Sequence, residues 1–231
     1  MLTDRQKTIL KILTDEYIKE FSPISSNYLV SRCGLDFSSA TIRNELAVLE
    51  EQGYLKKNYR SSGSVPTNKA YELLVDEILQ ERFEEKWFDN FEEPLSFSEL
   101  NELSNFIASQ LKIFNAIIND QLKFYYDGVE ELFASPDFQE KEEFLHLAKT
   151  IDSIEDFYKD IFYKVVNNKP MIFIGKNNPF NLKSDLISFL TGSVQTPNEK
   201  IAFVLIGPSR MPYEKNWLFL NRLLNSFKIN N

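Results

Sequence analysis

The sequence predicts an α+β fold in two parts: an N-terminal winged helix-turn-helix, then a long helix and a small sheet backed by helices. Three observations predict it. Three capped amphipathic segments fill residues 1–53, and a basic hairpin containing Gly and Pro follows them. An apolar stripe at helical spacing then runs from Leu100 to Tyr125. Short β-branched or aromatic runs and one more amphipathic segment close the chain.

The first helix opens on Thr3-Asp4-Arg5-Gln6, a capping box in which the Thr hydroxyl and the Gln amide each satisfy an orphan backbone donor. Leu10, Leu13, Tyr17, Ile18 and Phe21 give it an apolar face, and Pro23 ends it. Ser25 caps a short second helix carrying Leu29, Val30 and Cys33, and Gly34 closes it. Ser38 and Ser39 can cap the third. There Ile42, Leu46 and Leu49 recur at i, i+4 and i+7, and Gly53 fits the C′ position.

The third helix has the chemistry of a base reader. Thr41, Arg43 and Asn44 lie off its apolar stripe near the N-terminus, the end of a recognition helix that enters the major groove. Arg pairs bidentately with guanine, Asn with adenine, and a Thr methyl packs on thymine. Residues 53–71 hold Lys56, Lys57, Arg60 and Lys69 and no acidic residue, in a chain of net charge -8. Cations placed beside a reader helix suit phosphate neutralisation with counterion release. Ser39, Lys56, Lys57, Arg60 and Lys69 are therefore the expected backbone contacts, the bland alternative being a solvated basic hairpin.

Charge divides the chain. Residues 1–76 hold 10 Lys+Arg against 10 Asp+Glu, whereas the remainder holds 16 against 24. DNA would repel the acidic part, so phosphate contact belongs to the head and protein contact to the rest. The expected organisation is a winged helix-turn-helix over 1–76, a linker over 77–95, and a regulatory and dimerisation domain over 96–231.

In that last part Ser96-Phe97-Ser98-Glu99 reads as a second capping box. Leu100, Leu103, Ile107, Leu111, Phe114, Ile118, Leu122 and Tyr125 then form an 11-residue hydrophobic repeat, the signature of one nearly straight helix over 97–126. Such a helix must be buried, either on its own domain or as a dimer contact through Ile107, Leu111, Phe114 and Ile118. A further helix is expected over 140–165, with Leu147, Ile151, Ile154, Tyr158, Ile161 and Val165 on one face. Strands are expected at Met171–Ile174, Ile187–Leu190 and Ile201–Ile206, and a closing helix over Tyr213–Phe227.

The chemistry of catalysis and metal binding is missing. A single His146 and a single Cys33 cannot build a Cys/His zinc site, and no nucleophile–base–orienter set or phosphate-cradling glycine pattern occurs. The expectation is a protein that is not an enzyme, with no metal and no cofactor. One cysteine and no signal peptide or long apolar run point to the cytoplasm. Ser209 and Arg210, in the turn 206–213, read either as strand end and helix cap or as the lining of a ligand site.

These motifs together resemble the HrcA family of heat-inducible transcription repressors. The resemblance rests on Leu2 to Leu10, on Ser38-Ser39-Ala40-Thr41-Ile42-Arg43-Asn44, on Leu49 to Leu55 and on Pro66-Thr67-Asn68-Lys69-Ala70-Tyr71. It resumes at Tyr126 to Phe138, Ile174 to Pro179 and Ile206 to Met211. The family's wing carries Gly-Arg where this chain has Gly63-Ser64, a change expected either to weaken the wing's grip or to pass the role to Arg60. Ala70 stands for the family's Gly. The chain is also shorter, with the gap between Leu79 and Leu122.

The resemblance implies that the C-terminal part is a reduced GAF-like α+β domain. It implies a sequence-specific repressor of heat-shock (chaperone) genes, acting as a homodimer on the inverted-repeat operator CIRCE, with the chaperonin GroEL keeping it active. The alternatives are an interaction module that has lost DNA control and a regulator responsive to a small molecule.

Overall fold

A computed structural model describes residues 2–57, 63–80, 99–152, 162–163, 169–178 and 184–229. The chain divides into two compact units, Met1–Gln80 and Glu81–Asn231.

The first unit is a three-helix head with a wing. Helix α1 (Asp4–Glu20) opens on the expected capping box, with Gln6 N–H donating to the Thr3 hydroxyl and Thr3 N–H to the Gln6 carbonyl oxygen. Helix α2 (Ser26–Cys33) is capped by Ser25, and α3 (Ser39–Glu51) by Ser38. Gly34 at φ 64° and Gly53 at φ 77° take the left-handed conformation that stops α2 and α3. The wing strands β1 (Leu55–Lys56) and β2 (Val65–Pro66) pair antiparallel. Helix α4 (Asn68–Gln80) follows the wing and runs past residue 76. One core holds the unit: Ile9, Leu10, Leu13, Ile24, Leu29, Ile42, Leu46, Leu49, Leu55 and Ala70 are all buried.

The second unit is a five-stranded antiparallel sheet in the order β4-β3-β7-β6-β5. Helix α5 (Leu100–Leu111) leads into β3 (Phe114–Asn119) and β4 (Phe124–Asp127). Helix α6 (Val129–Ala134), a 3₁₀ turn at Pro136–Phe138 and α7 (Lys141–Asp152) come next. Strands β5 (Met171–Ile174), β6 (Ile187–Gln195) and β7 (Lys200–Pro208) complete the sheet, and α8 (Tyr213–Ile229) ends the described chain. On one face Phe114, Ile118, Phe189 and Val204 join Leu132, Phe138 and Leu147 in a single core. On the other, α8 approaches β6 so closely that a side chain at Gly192 would meet Leu224 at 2.6 Å.

The structure corrects the expectation of one helix over 97–126. Lys112, at φ 56°, closes α5, and the chain then turns into a hairpin. Ile107 and Leu111 lie on α5, but Phe114 and Ile118 lie on the strand β3. All four are buried inside this unit, with 5% exposure at most. They form no shared helical surface, and the expected dimer contact through them is withdrawn. Of the second capping box, Ser96 to Ser98 lie outside the described residues, while Glu99 is itself the N-cap of α5 and makes no side-chain cap bond. Within 140–165 the described helix is Lys141–Asp152; Ile154, Tyr158, Ile161 and Val165 lie outside the described residues. Strands β6 and β7 run longer than expected, and β3 and β4 enlarge the small sheet foreseen.

Candidate nucleic-acid interface

Helix α3 presents a polar face to solvent because its opposite face is fully used. Ile42, Leu46 and Leu49 are at most 4% exposed. At about 100° per residue, Ala40, Arg43, Asn44 and Ala47 fall on the opposite side, and all four are exposed. The Arg43 and Asn44 side chains form no hydrogen bond or ion pair among the described residues. Two small side chains between them leave room for a close approach.

The first turn of α3 is fixed from below. The Ser38 hydroxyl accepts Thr41 N–H at 3.1 Å and lies 2.9 Å from the Thr41 hydroxyl. The Ser39 hydroxyl donates to Asn27 Oδ1 at 2.6 Å and lies 3.3 Å from the Ser26 hydroxyl. Ser39 and Thr41 are half-buried, and Ser39 joins the start of α3 to the start of α2.

The expected cations divide. Lys56 is exposed on β1, and its side chain makes no hydrogen bond or ion pair among the described residues. Lys57 pairs with Glu50 at 2.8 Å. Lys69 donates to the Gln52 carbonyl at 2.8 Å and sits 4.4 Å from the Tyr54 ring centroid. Both lysines therefore help anchor the C-terminal end of α3 to the wing and α4. Arg60 lies outside the described residues.

Ser64 has a different place from the one expected. It is 1% exposed, and its backbone exchanges hydrogen bonds with Ile24 at 3.0 and 2.8 Å. At Gly63 a Cβ would lie 2.6 Å from the Pro23 carbonyl oxygen. The base of the wing is thus clamped to the turn between α1 and α2, and residue 64 faces that clamp.

One set of residues was missed in the sequence. Glu45 is 7% exposed in the middle of α3. Its carboxylate accepts Gln6 Nε2–H at 2.9 Å and pairs with the Arg5 guanidinium. Gln6 is the capping-box residue of α1, so one amide serves the start of α1 with its oxygen and the middle of α3 with its nitrogen. The available signal was a Glu at i+3 from Ile42 and i−4 from Leu49, on the apolar stripe.

A second polar contact sets α2 against α1. The Tyr28 hydroxyl lies 2.9 Å from Glu16 Oε2 and 3.3 Å from Glu20 Oε1, and Glu16 also accepts Lys19 at 2.7 Å. Hydrogen bonding from Lys19, then from Tyr28, holds the Glu16 carboxyl below its ordinary range. The Glu16 carboxylate in turn pushes the Tyr28 phenol up to about 12.

In the second unit, Arg210 donates from Nε and Nη2 to the two carboxylate oxygens of Asp137, at 3.3 and 3.0 Å. The Ser209 hydroxyl donates to the Asp185 carbonyl and accepts from Ser188, and Tyr213 Oη donates to the Ser209 carbonyl at 2.8 Å. These bonds tie the turn after β7 to its own unit, which favours the cap reading of 206–213 over a ligand lining. His146 is exposed on α7. Among the described residues no group of His, Cys, Asp and Glu could hold a metal, and no helix is long and apolar enough to cross a membrane.

Comparisons with known proteins agree on both units. Residues 1–80 match the model for the winged helix-turn-helix transcription repressor, HrcA DNA-binding. Residues 60–216 match the model for the HrcA protein C terminal domain. A heat-inducible transcription repressor HrcA of Lysinibacillus sphaericus is 48% identical over 79 residues, covering 34% of this chain and 23% of that protein. The HrcA of Mesoplasma florum is 32% identical over 198 residues, covering 84% of this chain and 52% of that protein. The chain thus spans between about a quarter and a half of the relatives it matches. A crystal structure of a hypothetical protein shares the fold at TM-score 0.78 and 17% identity, covering 100% of both chains.

Proposed function

Since the chain belongs to the HrcA family of transcription repressors, we propose that it binds duplex DNA in a sequence-specific manner and represses heat-shock genes. The observation that carries this reading is the free polar face of α3. Arg43 and Asn44 are exposed and uncommitted, while Ser39 and the Glu45 contact to α1 fix the helix that bears them. Thr41, Arg43 and Asn44 are proposed to read base edges, with Arg43 on guanine and Asn44 on adenine. Ser39, Lys56 and Arg60 are proposed to hold phosphates. Lys57 and Lys69 add positive field near them while serving the fold.

Family membership extends the proposal. Two copies of the chain place two α3 helices in successive major grooves of an inverted repeat, the CIRCE operator, at a spacing set by the helical repeat of DNA. The chaperonin GroEL is the proposed partner that sustains the active repressor. Repression follows where the operator overlaps a promoter. The acidic second unit contributes protein contacts and not phosphate contacts.

The test is a salt-controlled binding assay on an inverted-repeat operator against scrambled duplex. Tight binding to the operator alone is expected. Arg43→Ala should cost about 1–3 kcal/mol on the operator and relax preference at one base pair per half-site. Lys56→Ala should weaken all duplexes alike and flatten the salt slope by about one unit. Equal binding to operator and scrambled DNA by the unmodified chain would overturn the reading.

A further inference from the structure

Strand β4 lies at one edge of the sheet, with β3 on its inner side. Among the described residues no strand pairs with its outer side. The phase of the ladder says which backbone groups face outward. Asn119 N–H donates to the Lys123 carbonyl, and residues 124–127 continue that register against 118–115. Antiparallel pairs alternate between hydrogen-bonded and non-hydrogen-bonded, so 123, 125 and 127 turn their backbone groups to β3. Phe124 and Tyr126 turn theirs away from it.

The sequence of this edge is Lys123-Phe124-Tyr125-Tyr126-Asp127. It is complementary to itself in reverse. We propose that β4 is the dimer contact of this chain, pairing antiparallel with β4 of a second copy about a two-fold axis at Tyr125. This deepens the homodimer reading above and rests on it. In that register the outward groups of Phe124 meet those of Tyr126 in the partner copy, so each chain contributes donors and acceptors to two hydrogen-bonded pairs. Lys123 faces the oppositely charged Asp127 of the other copy at both ends, and directly opposed unlike charges favour a pairing. Phe124 faces an aromatic ring, extending the Phe124–Tyr126 contact already present at 5.4 Å. The shifted registers of the same parity, centred on Phe124 or Tyr126, lose both charge pairs.

The edge is available for this. Tyr126 is 53% exposed, and the Lys123 side chain is exposed and makes no ion pair among the described residues. Asp127 is held at the end of the strand by its own bond to Gly128 N–H. At the opposite edge, β5 is Met-Ile-Phe-Ile and holds no charge to set a register. An aromatic edge without a partner is also a hazard for uncontrolled association, and closure about a two-fold axis removes it.

The test uses the full chain with Cys33→Ala. At the axis Tyr125 faces its own copy in a non-hydrogen-bonded pair, where Cα atoms lie about 4.5 Å apart, within the span of a disulfide. Tyr125→Cys should therefore cross-link to a covalent dimer under mild oxidation, and Lys123→Cys, which faces residue 127, should not. Without cross-linking, the chain should sediment at twice its 27.0 kDa mass. Tyr126→Pro removes an outward N–H that β3 does not use and should sediment at the single mass with an unchanged circular-dichroism spectrum. Lys123→Glu, which opposes two acids, should do the same. A dimer that survives both Tyr126→Pro and Lys123→Glu overturns the proposal, as does failure of Tyr125→Cys to cross-link preferentially. Operator discrimination by the unmodified chain is scored separately. Discrimination without the cross-link defeats the edge contact alone, and the cross-link without discrimination defeats the repressor reading alone.

Discussion

Glu45→Ala should destabilise the head through a contact that never meets DNA. The Glu45 carboxylate is the acceptor for Gln6 Nε2–H at 2.9 Å, and both side chains are buried. A hydrogen bond to a charged acceptor contributes about 1.5–3 kcal/mol, and deleting the acceptor leaves the amide buried without a partner. The Arg5 guanidinium also pairs with this carboxylate, but its side chain is 49% exposed, so screening holds that share to about 1 kcal/mol or less. The total is about 2–4 kcal/mol. For a unit of this size, about 1 kcal/mol moves Tm by about 4–8 °C. Glu45→Gln keeps an oxygen for Gln6 but loses its charge and the ion pair, so it should cost about 1–2 kcal/mol, less than Glu45→Ala. Arg5→Ala leaves the Gln6 bond intact and removes a half-exposed pair, so it should cost about 1 kcal/mol or less. The assay is thermal unfolding of the full chain followed by far-UV circular dichroism. Tryptophan fluorescence is the internal control, because residues 1–80 contain no Trp. Only the transition of the head should move. If Glu45→Gln fell as far as Glu45→Ala, the Gln6 bond would not be the dominant contact and the reasoning would be refuted.

Three other outcomes follow from the geometry. Gly63→Ala would push a methyl to 2.6 Å from the Pro23 carbonyl oxygen, so the wing base must move; a loss of about 1–3 kcal/mol and weaker operator binding should appear together in denaturant melts and gel shifts. Arg210→Ala leaves Asp137, whose side chain is only 15% exposed, without its guanidinium; about 3 kcal/mol should be lost from the second unit, with Arg210→Lys intermediate, as read by urea unfolding. A late-ionising phenol should appear in an absorbance titration, because Tyr28 is pushed up to about 12. The folded value lies above the unfolded one, so the contact's stabilisation is full below about pH 10 and is lost as pH rises toward 12. Glu16→Gln should bring that titration down, and no change would show that the carboxylate is not the cause.

The head was legible because its signals are local. Thr3 and Gln6, Ser25, Ser38, Gly34 and Gly53 act within one helical turn of themselves, and each cap stands where the sequence places it. The stripe Ile42, Leu46, Leu49 also fixes which side of α3 remains exposed. The error at 97–126 has an equally physical cause. Strand β3 is buried at all six positions, so it carries apolar residues on both faces and imposes no period of two. Its residues therefore extended the helical stripe of α5 by coincidence. Lys112 takes a left-handed conformation more often given to Gly, so the stop signal was absent. The turn at Asn119-Asp120 was the only cue to the hairpin.

What the sequence by itself determined is the first three helices of the head, their caps, and the residue types available to read bases; helix α4 was not foreseen. Only the tertiary structure decided which of those residues are free. Lys57 and Lys69 were equivalent to Lys56 as charges along a chain, but distant carboxylate, carbonyl and ring partners occupy them. Glu45 looked like a solvated charge until Gln6, 39 residues away, closed over it. Local signals depend on neighbours within a few residues, whereas the commitment of a charged side chain depends on what folding brings to it from elsewhere.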